Sequence, residues 1–426
     1  MRFEEALAEL NGRQPERMVP DLDRITALSK LLGDPQLTYP TVHITGTNGK
    51  TTTARIITSI ACVSGLSTGT YTSPHLLSVT ERMSICGDPI SEEEFAEEYD
   101  HLLPYLLTVD GQGEQVTYFE TLTALAALWF ADKPVSAAVF EVGMGGRWDA
   151  TNLVAGDVAV ITPISLDHPE LGSTVEEIAA EKADIIKPGK VAVVREQLPE
   201  VLSIIRQRSE VVGASLLLEG RDFSLADRKQ AVGGQAIRVE GMRDSYTDLF
   251  IPLFGEHAAR NAAAAVAAME AFLDRPLTSH MVKRGLRDAI SPGRLEIVSR
   301  QPLVVLDGAH NPAGAQVLAT AFREAFTWER LLVVLAVSAD KDIGGIVRAL
   351  APLNGEYIVT RYTGARSADP EVLASALRDI GAVVTISPTV QYALEAARAK
   401  AQDHDAVLLT GSLYTVAEAR RALVSG

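Results

Sequence analysis

The sequence predicts an α/β protein: a P-loop-type, doubly wound, mostly parallel sheet in an N-terminal domain, followed by a smaller Rossmann-like α/β domain. Three observations carry this expectation. Apolar β-type runs alternate with helical segments along nearly all of the 426 residues. The polar clusters fall at the carboxyl ends of those runs, the edge along which open parallel sheets gather ligands. The alternation breaks at SPGR, residues 291–294, and resumes at 302–306, dividing the chain into 1–292 and 293–426. A chain of this length exceeds one comfortable core, and 47% hydrophobic with 22% charged residues is ordinary globular composition.

Taken in order, residues 3–10 and 22–32 read as short helices. Residues 42–53, VHITGTNGKTTT, form an apolar strand that turns through Gly46 and Gly49 into a helix. Such a turn aims backbone N–H groups and a helix N-terminus at one spot, which suits phosphate oxygens. Lys50 would add a point charge for the β/γ-phosphates and Thr51 a hydroxyl for Mg²⁺. The loop is a variant, because Ile44 stands where G-x-x-x-x-G-K-[ST] has its first glycine. A tight βα turn without a ligand is the alternative.

The helix continues through 54–63, a strand is expected at 67–71, and TSPHL, residues 72–76, follows as a turn in which Ser73 offers a hydroxyl. Ser91 caps an acidic helix, and 119–130 reads as an apolar one. Residues 135–142 form a buried strand that brings Glu141 to its tip before GMGGR, where a parallel-sheet NTPase places a metal-binding acid. A further strand, 157–162, leads to Asp167 and His168, the latter a candidate metal ligand. From 213 to 252 the pattern shortens into an antiparallel annex, and an alanine-rich helix spans 260–272. In the second domain, strands are expected at 302–306, 331–336, 356–360, 382–386 and 406–410. Asp307, His310 and Asn311 follow the first of these, and are expected to reach across an interdomain cleft or else to form a DG turn.

Thirty-nine Lys+Arg against 55 Asp+Glu give a formal charge of −16 and a pI near 5.0, which opposes binding to nucleic acid or anionic membranes. An anionic substrate needs a locally basic pocket. Cys62 and Cys86 are expected as two buried, unbridged thiols in a reducing cytoplasm. No run reaches a membrane span and the N-terminus lacks a leader pattern.

GTNGKTT, TSPHL, VTYFETLTA, EVGMGGRWDATN, LDHPELGSTVEEIAAEKADIIKPG, SPGRLE, LDGAHNPAG and TGSLYTVAEAR, in this order, closely resemble the folylpolyglutamate synthase/dihydrofolate synthase family of the Mur ligase superfamily. The resemblance implies an ATP-dependent ligase that adds L-glutamate to dihydropteroate or tetrahydrofolate. It implies that Asn48, Gly49, Lys50, Thr51, Asn261, Arg294 and Asp307 bind ATP, and that Ser73, Glu141, His168 and Lys182 serve Mg²⁺, with two ions and room for K⁺. Lys182 matches the lysine that is carbamylated in this family. Lys50, Lys182, His310 and Arg82 would be the catalytic set. Thr117, Tyr118, Phe119, Glu120, Trp148, Asp149 and Ala150 would line the folate site, with Glu16–Met18 beside them. The chain would work as a monomer in the cytoplasm.

Three positions depart from the family pattern: GTNGKTT replaces GTNGKGS or GTNGKGT, Asp184 replaces a glycine after Lys182, and Trp148 replaces a common leucine. The expected chemistry is carboxylate activation by the γ-phosphoryl of ATP, followed by attack of the glutamate amine, with domain closure at SPGR excluding water. Two alternatives stay open, a Mur-type ligase for another acid and an ATP-binding protein without catalysis.

Overall fold

The computed structural model describes residues 1–14, 20–167 and 169–424. It divides into two compact units, the first Met1–Lys229, Ala236–Pro252 and Arg260–Ala289, the second Gln230–Gln235, Leu253–Ala259 and Ile290–Gly426.

The first unit is built on an eight-stranded sheet: β1 (Thr41–Thr45), β2 (Thr68–Tyr71), β3 (Met83–Ile85), β4 (Asp88–Pro89), β5 (Ala137–Glu141), β6 (Val158–Ile161), β7 (Val191–Val194) and β8 (Ser215–Leu218). Their order is β4-β3-β2-β5-β1-β6-β7-β8. The six strands from β2 to β8 in that order are parallel, and β3 and β4 extend one edge antiparallel. Every residue of β1 and β5 is buried, as expected of strands covered on both faces.

Helices supply the cover: α1 (Phe3–Asn11), α2 (Asp23–Leu31), α3 (Lys50–Val63), α4 (Glu92–Asp110), α5 (Tyr118–Asp132), α6 (Val175–Ala183), α7 (Pro199–Val212), α8 (Glu256–Leu273) and α9 (Ser279–Arg287). Four of them start on a hydroxyl that accepts an N–H of the first turn: Ser91 for α4, Thr117 for α5, Thr174 for α6 and Thr278 for α9. One core gathers Tyr71, Phe95, Tyr99, Phe130 and Phe140 under α1, α2, α4 and α5; another gathers Ile161, Ile178, Val194 and Ile205 under α6 and α7. Full burial of each such side chain contributes roughly 1.5–3 kcal/mol.

The annex is narrower than the sequence suggests. Residues 215–218 join the main sheet as β8, parallel to β7, because α7 carries the chain back for another parallel crossover. Only β9 (Ser224–Ala231), β10 (Gly234–Glu240) and β11 (Ser245–Ile251) form the separate three-stranded sheet.

The expectation of two unbridged cysteines is corrected. Cys62 and Cys86 form a disulfide with their Cα atoms 5.7 Å apart. The antiparallel return of β3 along β2 delivers Cys86, in the turn before β4, to the C-terminal end of α3. That pairing depends on sheet order, which residue spacing does not reveal.

The second unit holds a six-stranded sheet in the order β12-β13-β17-β14-β15-β16: β12 (Glu296–Arg300), β13 (Leu303–Leu306), β14 (Leu331–Leu335), β15 (Glu356–Val359), β16 (Val384–Ile386) and β17 (Ala406–Thr410). All pairs but β12–β13 are parallel. Its helices are α10 (Pro312–Ala325), α11 (Ile343–Leu350), α12 (Pro370–Asp379), α13 (Val390–Lys400) and α14 (Leu413–Val424). Phe322, Leu335, Leu350, Leu373 and Leu408 anchor a core of its own.

Candidate functional site

Strand β1 lies between β5 and β6, with Ile44 level with Glu141 and Thr45 level with Ile161, so three parallel strands end together. At that edge the chain passes through Gly46 and Gly49 into α3. Gly46 has φ 143°, and a Cβ there would stand 1.9 Å from Thr162 Oγ1; Gly49 has φ 93°, and a Cβ would meet Asn261 Nδ2 at 2.9 Å. Neither position admits a side chain. Asn48 lies in the turn between them, and the N-terminus of α3, the positive end of its dipole, faces the loop.

Two amines converge on this turn. Lys50 Nζ donates to Gly46 O at 3.0 Å and Thr47 O at 3.3 Å, and Lys182 Nζ donates to the same Gly46 O at 3.0 Å. Lys182 is 4% exposed on α6, and burial, followed by repulsion from Lys50, pushes its ammonium down to about 7. A large neutral fraction at neutral pH is the state in which a lysine amine can take up CO₂.

Glu141, 2% exposed at the tip of β5, ties two loops together. Thr51 Oγ1 donates to its Oε1 at 2.7 Å and Ser73 N to its Oε2 at 3.2 Å. A carboxylate bonded by the Thr51 hydroxyl, with Ser73 tied to it through the backbone, offers oxygen donors of the kind Mg²⁺ takes. His168 lies outside the described residues, as do Glu16–Met18. Asn261 is oriented from behind: Arg195 donates to its Oδ1, while Glu219 holds both Arg195, at 2.8 Å, and Arg260, at 2.7 Å.

Next to this cluster is a cavity of about 550 Å³ lined by Ser73, Arg82, Thr117–Glu120 and Trp148–Ala150 among others. The N-terminus of α5 forms one wall. Thr117 caps it, and Glu120 accepts from Thr117 N at 2.8 Å and from Arg24 Nε at 3.2 Å. Arg82 is fixed from both ends, its Nε donating to His75 Nδ1 at 2.9 Å and its guanidinium 5.4 Å from the centre of the Tyr118 ring. Trp148 is 48% exposed at the rim, whereas Asp149 is 7% exposed and its carboxyl is raised by burial against three N–H donors and a hydroxyl. Arg24, Met144, Glu170 and Leu171 also line the cavity and escaped sequence reasoning. Arg24 is held at the cavity by Glu120, 96 residues away, and by Glu114 at 2.8 Å, 90 residues away.

In the second unit, Asp307 directly follows β13, 7% exposed, accepting from Leu295 N at 2.9 Å and Ala309 N at 2.8 Å. Burial raises its carboxyl and the nearby Arg294 guanidinium opposes that rise. His310 Nδ1 lies 2.9 Å from Gly308 O, and Asn311 caps α10 through Gly314 N at 2.7 Å.

Residues 44–269 match the Mur ligase middle domain, and residues 293–413 the Mur ligase glutamate ligase domain. The dihydrofolate synthase/folylpolyglutamate synthase of Mycobacterium tuberculosis is 44% identical over 387 residues, covering 86% of this chain and 80% of that protein. A structure of M. tuberculosis folylpolyglutamate synthase complexed with ADP superposes with a TM-score of 0.95 at 40% identity, over 99% of this chain and 98% of that one. An Escherichia coli structure in complex with DHPP and ADP has a TM-score of 0.88 at 32% identity, over 100% of this chain and 98% of that one.

Proposed function

The chain belongs to the folylpolyglutamate synthase/dihydrofolate synthase family of Mur ligases, and we propose that it uses ATP to join L-glutamate to dihydropteroate, to the γ-carboxylate of tetrahydrofolate and its polyglutamates, or to both. One observation carries this reading. The turn on which Lys50 and Lys182 converge, and the Glu141–Thr51–Ser73 set, adjoin a large cavity, with Ser73 common to both.

A carboxylate resists attack by an amine, so the acid must first take the γ-phosphoryl of ATP, giving an acyl phosphate and ADP. The glutamate amine then attacks the acyl carbon; the C–O bond to phosphate breaks, and phosphate and a proton leave. Lys50 and the α3 N-terminus offset charge that builds on the phosphoryl oxygens. Asn48, Gly49, Thr51 and Asn261 are the nucleotide-binding residues of the first unit, and Arg294 and Asp307 those of the second. His310 and Arg82 act on the reacting groups. The cavity walls at Thr117–Glu120 and Trp148–Ala150 hold the acid.

Glu141, Thr51 and Ser73 would hold Mg²⁺, with carbamylated Lys182 for a second ion; such ions supply charge neutralisation across ATP and the acid. K⁺ would be a supporting ion, tested by exchange for Na⁺. Residues 1–292 form the ATP- and folate-binding domain and 293–426 the glutamate ligase domain. The enzyme acts as a cytoplasmic monomer; among the described residues no helix is long and apolar enough to cross a membrane.

The test is ADP release from ATP with a panel of acids, each with and without glutamate. Release that requires glutamate and either dihydropteroate or tetrahydrofolate is expected. Release with neither acid, or release indifferent to glutamate, overturns the reading. Lys182→Ala should abolish most of the activity, and wild type in CO₂-depleted buffer should slow and recover on adding bicarbonate.

A further inference from the structure

Strand β1 carries three polar residues at alternate positions, Thr41, His43 and Thr45, each 0% exposed. Side chains two apart share a face of a strand. On that face each bonds the segment that follows β5: Thr41 Oγ1 accepts from Gly156 N at 2.7 Å, His43 Nε2 lies 2.9 Å from Thr151 Oγ1, and Thr45 Oγ1 donates to Gly145 O at 2.7 Å. The strand is thus a comb that pins the wall of the cavity containing Trp148, Asp149 and Ala150.

The middle tooth is the one that leads to a charged group. Thr151 Oγ1 donates to Asp149 Oδ1 at 2.5 Å, so its oxygen accepts from His43, which must carry its proton on Nε2. Asp149 Oδ1 also accepts from Thr151 N at 3.0 Å, and Oδ2 from Met144 N at 2.9 Å. His43 Nδ1 is buried with no hydrogen-bond partner among the described residues. Burial holds the imidazole neutral, its pKa well below the usual value. A strand needed only for packing gains nothing from a histidine there, since an unpartnered buried nitrogen is a net penalty that an apolar residue avoids.

We infer that His43 is a positioning residue for the acid substrate: through Thr151 it fixes the Asp149 carboxylate in the cavity wall, and so governs affinity for the acid rather than phosphoryl transfer. This rests on the folate-ligase reading above. Asp149 lines the cavity that takes the acid, and its acceptor positions are filled by Thr151, Met144 and Gly143, so fixing it fixes the wall the acid meets.

The experiment measures steady-state kinetics of wild type, His43→Leu, His43→Gln and Thr151→Val with dihydropteroate or tetrahydrofolate, glutamate and ATP. His43→Leu should raise KM for the acid about tenfold, the scale of a lost hydrogen bond in a chain ending on a charged group, with kcat and KM for ATP within about twofold. His43→Gln, whose amide N–H can replace Nε2–H, should restore most of the loss. Thr151→Val should reproduce it, and the double variant should be no worse than either single change, because both break one chain. If His43→Leu fails to fold, Thr151→Val and His43→Gln carry the comparison. An unchanged KM for the acid in Thr151→Val, or proportional changes in both KM values and kcat, overturns the inference while wild-type activity leaves the functional reading standing. A wild type that uses neither acid overturns that reading, and the role of His43 with it.

Discussion

Lys50 spans its own loop, bonding the carbonyls of Gly46 and Thr47, residues that precede it by four and three positions. Both bonds stay within the loop, and neither is part of the β1 ladder. Lys50→Ala should therefore keep the fold, read by an unchanged circular dichroism spectrum, and lower turnover by about 10² or more, the scale of one preorganised electrostatic contact. Near-normal turnover would remove the lysine from the chemistry. This residue was legible because G-x-x-G-K is a local backbone requirement: Gly49 at φ 93° needs no distant partner to be recognised. Arg24 was illegible for the opposite reason, since its place at the cavity depends on the distant Glu114 and Glu120.

At the scale of elements, α4 and α5 pack with their charged ends together, and Glu98 is caught between them. Its Oε2 is buried without a hydrogen-bond partner among the described residues, and burial, then repulsion by Asp132, raises its carboxyl to about 7. The native state therefore binds more protons than the unfolded chain between the ordinary carboxylate range and pH 7. Stability contributed by this group is present below that window and is lost as pH rises through it. Glu98→Gln should stabilise the protein by about 1 kcal/mol at pH 8, allowing for solvent screening, and by much less at pH 5.5. Urea denaturation at the two pH values reads the difference; an increment independent of pH, or larger at pH 5.5, would refute the assignment. The sequence showed both helices and the Ser91 cap of α4, but not Thr117 as the cap of α5. Their mutual placement it could not supply.

For the molecule as a whole, two described cores lie in different units: Phe130 and Phe140 belong to one in the first, Phe322 and Leu373 to one in the second. Separate cores unfold as separate cooperative blocks. Phe322 is 0% exposed and packs 5.0 Å, centroid to centroid, from both Phe326 and Trp328. Phe322→Ala should cost about 3–5 kcal/mol in the second unit alone. Calorimetry should then show one component of the melt moved down by several degrees and the other in place. A single transition that shifts as one would sink the idea.

The sequence by itself determined the α/β class, the parallel sheets and the strand-tip positions of Gly46, Glu141 and Asp307, because hydrophobic period, strand length and glycine turns are local properties of the chain. Tertiary structure alone decided which tips become neighbours. The order β4-β3-β2-β5-β1-β6-β7-β8 sets β1 between strands that lie about a hundred residues further along, bringing Lys182 to Gly46 across 136 residues and His43 to Thr151 across 108. It also joined Cys62 to Cys86 against expectation and drew β8 into the main sheet. Contacts at such separations follow from how elements pack, and no pattern within one element records its partner.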